Sequence, residues 1–234
     1  MYGNYAPTMS PQAVAAERQR FMVKVYNWMT AGLATTGAMA FYVANNETML
    51  RLIVQNKILF FLLIVAQLGL VFYLSAAVHK MTPSQATGTF ILYAGLNGVT
   101  FSFIFLAYTA SSIASAFIVT AGTFGAMSLY GYTTQKDLTS WGSFLFMGLI
   151  GIIIASLVNM FLNNPTIGWI TTYAGVLIFV GLTAYDTQKI KMMNVLGNEG
   201  TPEDHKESII GALTLYLDFI NLFLMILRIM GDRR

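Results

Sequence analysis

The amino-acid sequence predicts an all-α, polytopic membrane protein with seven transmembrane helices. Three observations lead to this prediction: an excess of apolar residues, a shortage of charge and a series of long uncharged stretches. Of the 234 residues, 56% are hydrophobic and only 10% are charged, whereas a soluble domain carries about 25% charged residues. That shortage leaves too little charge for a water-facing surface, and the length suits one helical bundle better than two domains.

The first two spans are each preceded by a basic residue. Val25–Asn46 begins after Lys24, and Ile58–Val78 begins after Lys57. Each stretch is long enough for the roughly 20 apolar residues that a transmembrane helix needs. We therefore expect two helices here, joined by a short polar connection.

The next four spans lie in two uncharged stretches, each long enough for two helices. Met81–Gln135 is expected to break near Tyr108–Ser112, where small and polar residues collect. Leu138–Tyr185 is expected to break at Asn163-Asn164-Pro165, because asparagine and proline together favour a turn. These two stretches supply the third to sixth spans.

The seventh span covers about Ile209–Ile229 and is interrupted near its middle by Asp218. A longer polar loop, about Met192–Glu207, separates it from the sixth span. The predicted organisation is a polar N-terminal tail (residues 1–20), a single seven-helix transmembrane domain (21–230) and a short basic tail (231–234).

The distribution of lysine and arginine predicts the orientation of the spans. With seven crossings, eight basic residues lie on the N-terminal side and five on the other. Because basic residues concentrate on the cytoplasmic side, this count favours a cytoplasmic N-terminus. If the last segment re-entered the membrane and returned, the count would be 11 against 2. A re-entrant seventh segment is therefore an open alternative.

The composition also excludes several kinds of function. The chain has no cysteine, so disulfides, thiol catalysis and thiolate metal sites are excluded. The net charge of +3 lies in short stretches between spans, which indicates membrane topology rather than binding to nucleic acid. Met1–Gln12 is polar and does not resemble a signal peptide, so the first apolar segment is expected to be retained.

Two acidic residues lie inside predicted spans and are the main candidates for function. Asp186 lies near the end of the sixth span, and Asp218 lies roughly ten residues into the seventh. Chain direction places both in the half of the membrane nearest the loop that joins these spans, so their carboxyl groups can meet if the helices are neighbours. A carboxylate in the hydrocarbon region is costly and usually marks a pathway, a proton relay or a partner.

Two carboxyl groups within hydrogen-bond reach share a proton rather than both ionise. Such a pair attracts a cation when it is ionised, and it joins its two helices when it is singly protonated. The sequence therefore predicts a pH-controlled latch that also binds a passing cation. The alternative is that each aspartate only forms hydrogen bonds with backbone or hydroxyl groups.

Other polar residues could line or support the same pathway. Thr214, Asp218 and Asn221 recur at helical spacing and share one face of the seventh span. Asn97 on the third span could extend that lining, although hydrogen bonding within the bundle is the commoner role for such a residue.

Three stretches resemble the Bax inhibitor family, the transmembrane Bax inhibitor motif proteins. The resemblance covers nearly the whole chain from about residue 20, its closing motif is specific, and the chain is most similar to bacterial inner-membrane members. The matching stretches are Gly181–Lys189 (GLTAYDTQK), Ala212–Phe223 (ALTLYLDFINLF), and Phe124–Tyr132 (FGAMSLYGY) followed by Lys136-Asp137.

The resemblance implies a fold in which the C-terminal helix is central and is wrapped by two groups of three helices, which argues against re-entry. It implies a pH-sensitive calcium leak controlled by two aspartates that match Asp186 and Asp218. Calcium would be the transported ion, bound only transiently, and no cofactor is expected. The resemblance also implies a bacterial inner (plasma) membrane location. The expected partners are the lipid bilayer, calcium ions and, because the family is described as stress-protective, other membrane proteins.

The chain departs from the family near the end of the second span. In well-described relatives an arginine there pairs with the aspartates, whereas this chain reads Leu74–Lys80 (LSAAVHK), with no arginine. His79 and Lys80 end the span on the aspartate side of the membrane. Either could supply the missing charge, or both could simply anchor the helix at the interface.

Two other functions stay open beside the cation leak. Paired aspartates on neighbouring spans also resemble intramembrane aspartyl proteases, in which the pair activates water. Those enzymes carry Gly-x-Gly before the second aspartate, where this chain has Leu215-Tyr216-Leu217, and they carry a Pro-Ala-Leu stretch that this chain lacks. An enzyme is therefore not expected. The second alternative is a regulator that binds other membrane proteins and uses its aspartates structurally.

Overall fold

The structure, a computed structural model, describes residues 10–233, apart from the side chain of Val54. The first nine residues of the predicted N-terminal tail and Arg234 of the predicted C-terminal tail lie outside the described residues. A short 3₁₀ turn (Val78–Lys80) follows the third of the helices in this range. The helices are α1 (Pro11–Ala44), α2 (Glu47–Gln55), α3 (Lys57–Ala77), α4 (Pro83–Ala107), α5 (Ala110–Thr133), α6 (Thr139–Leu162), α7 (Pro165–Met193) and α8 (Pro202–Met230).

The C-terminal helix α8 forms the centre of the bundle. It packs against α1, α4, α5 and α7, and large side chains on it, such as Tyr216 and Leu222, are fully buried. The helices around it form two groups: α1, α3 and α4 pack together, as do α5, α6 and α7. The two groups together enclose α8.

The outer surface of the bundle is apolar. Ile58, Phe72 and Phe161 are 74%, 70% and 80% exposed, which suits contact with lipid rather than water. Trp141 and Trp169 lie near the starts of α6 and α7, at opposite ends of the bundle, and exposed tryptophan is typical of membrane interfaces. Six helices in the described part of the chain, α3 to α8, are long and apolar enough to cross a membrane. The predicted all-helical, multi-pass membrane fold is confirmed to this extent.

Helix α1 is the predicted span that falls outside this set of six. Its polar and small residues, Asn27 and Thr36 among them, make it less apolar than the others. These side chains are used inside the bundle: the Thr36 hydroxyl contacts the Ala94 carbonyl on α4 at 2.9 Å and the Tyr216 hydroxyl on α8 at 2.8 Å. A Cβ atom on Gly98 of α4 would lie 2.5 Å from the Thr36 carbonyl oxygen. Six crossings follow from composition, and the seventh remains a prediction.

The connection after α7 is shorter than predicted and is held against the N-terminal turns of α1. The Arg20 guanidinium donates two hydrogen bonds, of 2.7 and 2.8 Å, to the Glu199 carboxylate. Lys24 lies 2.6 Å from the buried carboxylate of Asp204. Glu17 accepts a hydrogen bond from the backbone of the loop. Residues 11–20, predicted as tail, are therefore helical and pack on the bundle.

Residues 231–233 lie at the other end of α8, against the link between α4 and α5. The Thr109 N–H donates to the Asp232 carbonyl at 3.3 Å, and the Asp232 N–H donates to the Ser112 hydroxyl at 3.0 Å. Because α8 is a single uninterrupted helix, the re-entrant alternative is wrong. The N-terminal turns of α1 and the C-terminal residues consequently lie at opposite ends of α8.

Both predicted breaks within the long uncharged stretches are confirmed. Helix α4 ends at Ala107 and α5 begins at Ala110. At the second break, Asn163 takes a left-handed conformation with φ of 49°, which asparagine tolerates better than most residues. Pro165 then begins α7, in a position where its missing N–H is not needed.

Candidate functional site

A cavity of about 980 Å³ lies among α6, α7 and α8 and contains both intramembrane aspartates. Asp186 lines it from α7 and Asp218 lines it from α8. Their carboxyl groups are close enough for a side-chain hydrogen bond to join them. The structure therefore brings together the two acidic residues that the sequence singled out.

Asp218 is buried, with 5% of its surface exposed. Two residues before it on α8, the ring of Tyr216 packs edge-on against Phe90 and Tyr93 at centroid distances of 5.8 and 5.9 Å. Within the described residues, the Oδ2 atom of Asp218 is buried and has no hydrogen-bond partner. Because a buried polar atom without a partner costs about 1–3 kcal/mol, this oxygen is available to a proton or a cation.

Asp186 is positioned by two close contacts between helices. A Cβ atom on Gly131 of α5 would collide with the carbonyl oxygen of Ala184, and a Cβ atom on Gly142 of α6 would collide with the ring of Tyr185. Small residues let membrane helices approach closely. The two glycines thus bring α5 and α6 against the turn of α7 that presents Asp186.

The residues that follow Asp186 are also accounted for by structural contacts. The Thr187 hydroxyl lies 2.9 Å from the Ser128 hydroxyl on α5. Gln188 uses both ends of its amide to hold the backbone of the link between α5 and α6. The neighbours of Asp186 therefore serve packing and hydrogen bonding, whereas Asp186 itself faces the cavity.

Thr214 and Asn221 line the same cavity. Each donates a hydrogen bond to a carbonyl of its own helix, Thr214 to Ile210 at 3.1 Å and Asn221 to Leu217 at 2.8 Å. Their side-chain oxygens keep free lone pairs, and carboxylate, amide and hydroxyl oxygens suit a hard cation such as calcium. Across residues 10–233, no group of three or more His, Cys, Asp or Glu side chains is placed to hold a metal ion.

Comparison with known proteins decides the family. Residues 18–234 match the family described as "Inhibitor of apoptosis-promoting Bax1". The chain belongs to the Bax inhibitor family. The match extends over all six helices that are apolar enough to cross a membrane.

Similar proteins occur in several bacteria. "Inner membrane protein YbhL" of Escherichia coli K12 is 55% identical over 217 residues, which cover 92% of this chain and 93% of that protein. An uncharacterized protein of Borreliella burgdorferi is 46% identical over 217 residues, covering 93% and 94%. An uncharacterized membrane protein of Streptococcus pyogenes is 35% identical over 214 residues, covering 91% and 92%.

In this member of the Bax inhibitor family, α7 itself contributes a basic side chain to the lining of the aspartate cavity. Lys189 lies one turn after Asp186 and also lines the cavity. Its Nζ atom is 5.8 Å from the centroid of the Tyr185 ring. Sequence reasoning missed Lys189 as a neighbour of the pair. The signal was the i, i+3 spacing from Asp186, which places two side chains on one face of a helix.

The other predicted support residues do not line the cavity. His79 and Lys80 form the 3₁₀ turn after α3, where the His79 carbonyl accepts a hydrogen bond from Lys206 at 3.4 Å. Asn97 is buried and donates to the Tyr93 carbonyl at 3.0 Å. Asn97 is thus hydrogen-bonded within the bundle, whereas His79 and Lys80 are exposed at the end of α3.

The cavity changes in polarity along its length. On α6 it extends from Gly142 to Met160, which is about 27 Å at 1.5 Å per residue. The aspartates and Lys189 lie at one end, and the other end is lined by apolar side chains such as Leu157 and Met225. The cavity thus has a polar end and a largely apolar end.

Proposed function

We propose that this member of the Bax inhibitor family is a proton-sensitive leak for calcium and similar cations, in which Asp186 and Asp218 are both pH sensor and cation site. The observation that carries the proposal is the shared cavity, where two carboxyl groups meet inside the bundle and one buried oxygen has no partner among the described residues. Intramembrane carboxyl groups are costly and typical of ion or proton pathways.

The chemistry of the pair supports both roles. When the pair is ionised, its negative charge and the oxygens of Thr214 and Asn221 attract a hard cation. When the pair holds a proton, it carries less charge and joins α7 to α8. A change in that proton therefore alters both the pathway and the tie between the two helices. Two carboxylates are too few for tight calcium binding, which suits passage rather than storage.

The proposal also covers the membrane placement. α1 is the seventh crossing, the N-terminus is cytoplasmic, and the protein lies in the bacterial inner membrane. The similarity to a protein named "Inner membrane protein YbhL" supports the location. The position of the two described chain ends at opposite ends of α8 supports an odd number of crossings.

Calcium flux into liposomes that contain the purified protein tests the proposal between about pH 6 and pH 8. We expect a flux that changes severalfold across this range in the native protein. In Asp186→Asn and in Asp218→Asn, we expect the pH dependence to be flattened, because an amide cannot take up or release the proton that the pair shares.

Asp137→Asn is the matched control, since it makes the same chemical change in the link between α5 and α6. Hydrogen bonds from the Thr139 hydroxyl and backbone N–H hold the pKa of the Asp137 carboxyl below its usual range, so this group stays ionised from pH 6 to pH 8. Its replacement should leave the pH dependence of flux unchanged.

Two results would count against the proposal, the first against the leak itself and the second against its pH sensor. Flux absent at every pH would make binding to other membrane proteins the leading account, with the aspartates structural. Flux with the same pH dependence in all four proteins would remove the aspartate pair as sensor. Cleavage of a membrane substrate that is lost with either aspartate would instead support the protease alternative.

A further inference from the structure

A second cavity, of about 780 Å³, lies on another side of the bundle, between α1 and α5. Its walls are almost entirely apolar, and Phe219 of α8 contributes to its lining. Tyr26 of α1 forms a hydrogen bond with Ser128 of α5, and the two helices are otherwise separated by the cavity along this stretch. We refer to this space as the α1–α5 groove.

The α1–α5 groove has the depth of one lipid leaflet. On α1 it is lined from Gln19 to Gly37, and on α5 from Tyr132 to Phe117. The 13 residues from Lys24, the last charged residue of α1, to Gly37 span about 20 Å. That length is close to half of a bilayer hydrocarbon core of about 30 Å plus part of the interface. The groove therefore extends from the membrane surface to about its middle.

Two basic residues adjoin the lining residues Gln19 and Tyr132 at the surface end of the groove. Arg18 is next to Gln19 on α1, and Lys191 donates a hydrogen bond of 2.6 Å to the carbonyl of Tyr132 on α5. Arg18 and Lys191 are close enough for their charges to repel each other. Within residues 10–233, the Nε atom of Arg18 has no hydrogen-bond partner although it is buried.

Neighbouring cations at the same end of the bundle are paired with carboxylates. Arg20 pairs with Glu199, and Lys24 pairs with Asp204. Arg18 and Lys191 are in no ion pair in the part of the chain that the structure describes. Two adjacent positive charges without a counter-charge favour a negatively charged ligand, and arginine in particular matches the geometry of a phosphate.

We propose that the α1–α5 groove binds one phospholipid with an anionic headgroup. Arg18 and Lys191 bind the phosphate, and one acyl chain lies between α1 and α5 as far as Gly37. The apolar walls, the leaflet depth and the basic end all fit this single occupant. A zwitterionic lipid fits less well, because its own ammonium group already balances its phosphate.

Native mass spectrometry of the whole protein, released from detergent that contains equal amounts of phosphatidylglycerol and phosphatidylcholine, tests the proposal. We expect one retained phosphatidylglycerol. The double variant Arg18→Gln/Lys191→Gln should retain it roughly tenfold less, because each basic residue contributes separately to binding an anionic lipid. The circular dichroism spectrum and gel-filtration profile of each variant verify that it is folded.

Filling the groove tests the acyl chain independently of charge. A Cβ atom on Gly125 of α5 would meet no other atom within 4 Å, and Gly125 lines the groove, so Gly125→Leu should lower lipid retention without a clash. Gly122→Leu is the matched control, because Gly122 also has open space but does not line the groove. We expect this control to bind lipid like the native protein.

Several outcomes would overturn the proposal. Equal retention of both lipids, or no effect of the double variant, would exclude selection by Arg18 and Lys191. If inorganic phosphate alone stabilised the protein against heat as much as phosphatidylglycerol does, and did so equally in Gly125→Leu, the site would be one for a free anion. A dimer that displaces lipid and is lost in Gly125→Leu would indicate that a second copy of the chain occupies the groove.

Discussion

Glycine and aspartate are the residues that contribute most to the site, for opposite reasons. Gly131 and Gly142 contribute nothing except space, which lets α5 and α6 reach the end of α7. Asp186 and Asp218 contribute charge where charge is costly. The side chains around them take part in packing or hydrogen bonds. Contacts within the fold therefore explain these neighbours but do not explain the aspartate pair.

The contact between Gly131 and Ala184 predicts a large effect from a single methyl group. Gly131→Ala places a Cβ atom against a backbone carbonyl, which cannot rotate away, so α5 and α7 must separate. We expect a loss of about 1–3 kcal/mol in stability, typical of overpacking, measured as a lower melting temperature in detergent. Gly122→Ala, which has open space on the same helix, should melt like the native protein; equal loss in both variants would contradict the contact.

Single residues differ in how far the sequence alone reveals their role. The aspartates could be predicted because a charge in an apolar stretch is visible without knowing the fold. The close approach at Gly131 could not, because it depends on which helices pack together. Lys189 lies between these cases, since its spacing from Asp186 is visible but the cavity that both residues line is not.

At the scale of elements, α1 makes two kinds of contact. Its first four turns hold the loop between α7 and α8, and its remainder packs along α4 and α8. The sequence predicted a span from Val25 but neither of these contacts, and Glu17, Arg18, Arg20 and Lys24 give the first turns the composition of a solvated tail. α2 was also missed, although Asn46 caps its N-terminus through a hydrogen bond from the Met49 N–H at 3.1 Å.

The two ion pairs that join α1 to the loop and to the first turn of α8 should differ in strength. Asp204 is buried whereas Glu199 is exposed. Lys24→Met leaves a buried carboxylate with one fewer partner and should cost about 1–3 kcal/mol. Arg20→Met breaks an exposed pair and should cost less, because water screens the two charges. Melting temperatures of the two variants measure the difference, and a larger loss in Arg20→Met would show that burial does not rank these pairs.

The stability that the pair of Arg20 and Glu199 contributes should change with pH only in acid. The hydrogen bond from Arg20 holds the pKa of Glu199 below its ordinary value of 4.5. Because the pKa is lower in the folded protein, the pair stabilises the fold above that ordinary value, and its contribution is lost as pH falls through the folded value. The difference in melting temperature between native protein and Glu199→Gln should therefore be constant from pH 6 to pH 8.

Because the Arg20–Glu199 pair should not change between pH 6 and pH 8, Glu199→Gln is a second control for the flux measurement. If Glu199→Gln altered the pH dependence of calcium flux between pH 6 and pH 8, the loop rather than the aspartate pair would be titrating. An unchanged profile, together with an unchanged profile in Asp137→Asn, would leave the intramembrane carboxyl groups as the source of the pH response.

At the scale of the whole molecule, hydropathy predicted the helices but not their arrangement. The breaks at residues 108–112 and 163–165 were visible because polar residues and proline interrupt apolar runs. The central place of α8 followed from family resemblance and not from composition, since α3 and α6 are also strongly apolar but face outward. Which apolar helix is buried depends on complementary shapes that no single segment displays.

The proposed seventh crossing predicts opposite locations for the two termini. In a bacterium, green fluorescent protein fused to the N-terminus should fluoresce, whereas the same protein fused to the C-terminus should stay dark. Alkaline phosphatase at the C-terminus should be active, because it folds outside the cytoplasm. Fluorescence from the C-terminal fusion, together with active alkaline phosphatase at the N-terminus, would mean the reverse orientation. Fluorescence from both fusions would mean that α1 does not cross the membrane.

The fastening of α8 at both ends limits how the protein can move. Asp204 ties its first turn to α1, and Asp232 ties the residues after its last turn to the link between α4 and α5. A helix held in this way cannot slide along its axis like a piston. If the carboxyl groups of Asp186 and Asp218 separate, the movement must therefore come from α7 rather than from sliding of α8. Any sideways part of that movement changes the cross-sectional area of the protein in the membrane, and lateral tension in the bilayer would act on that part.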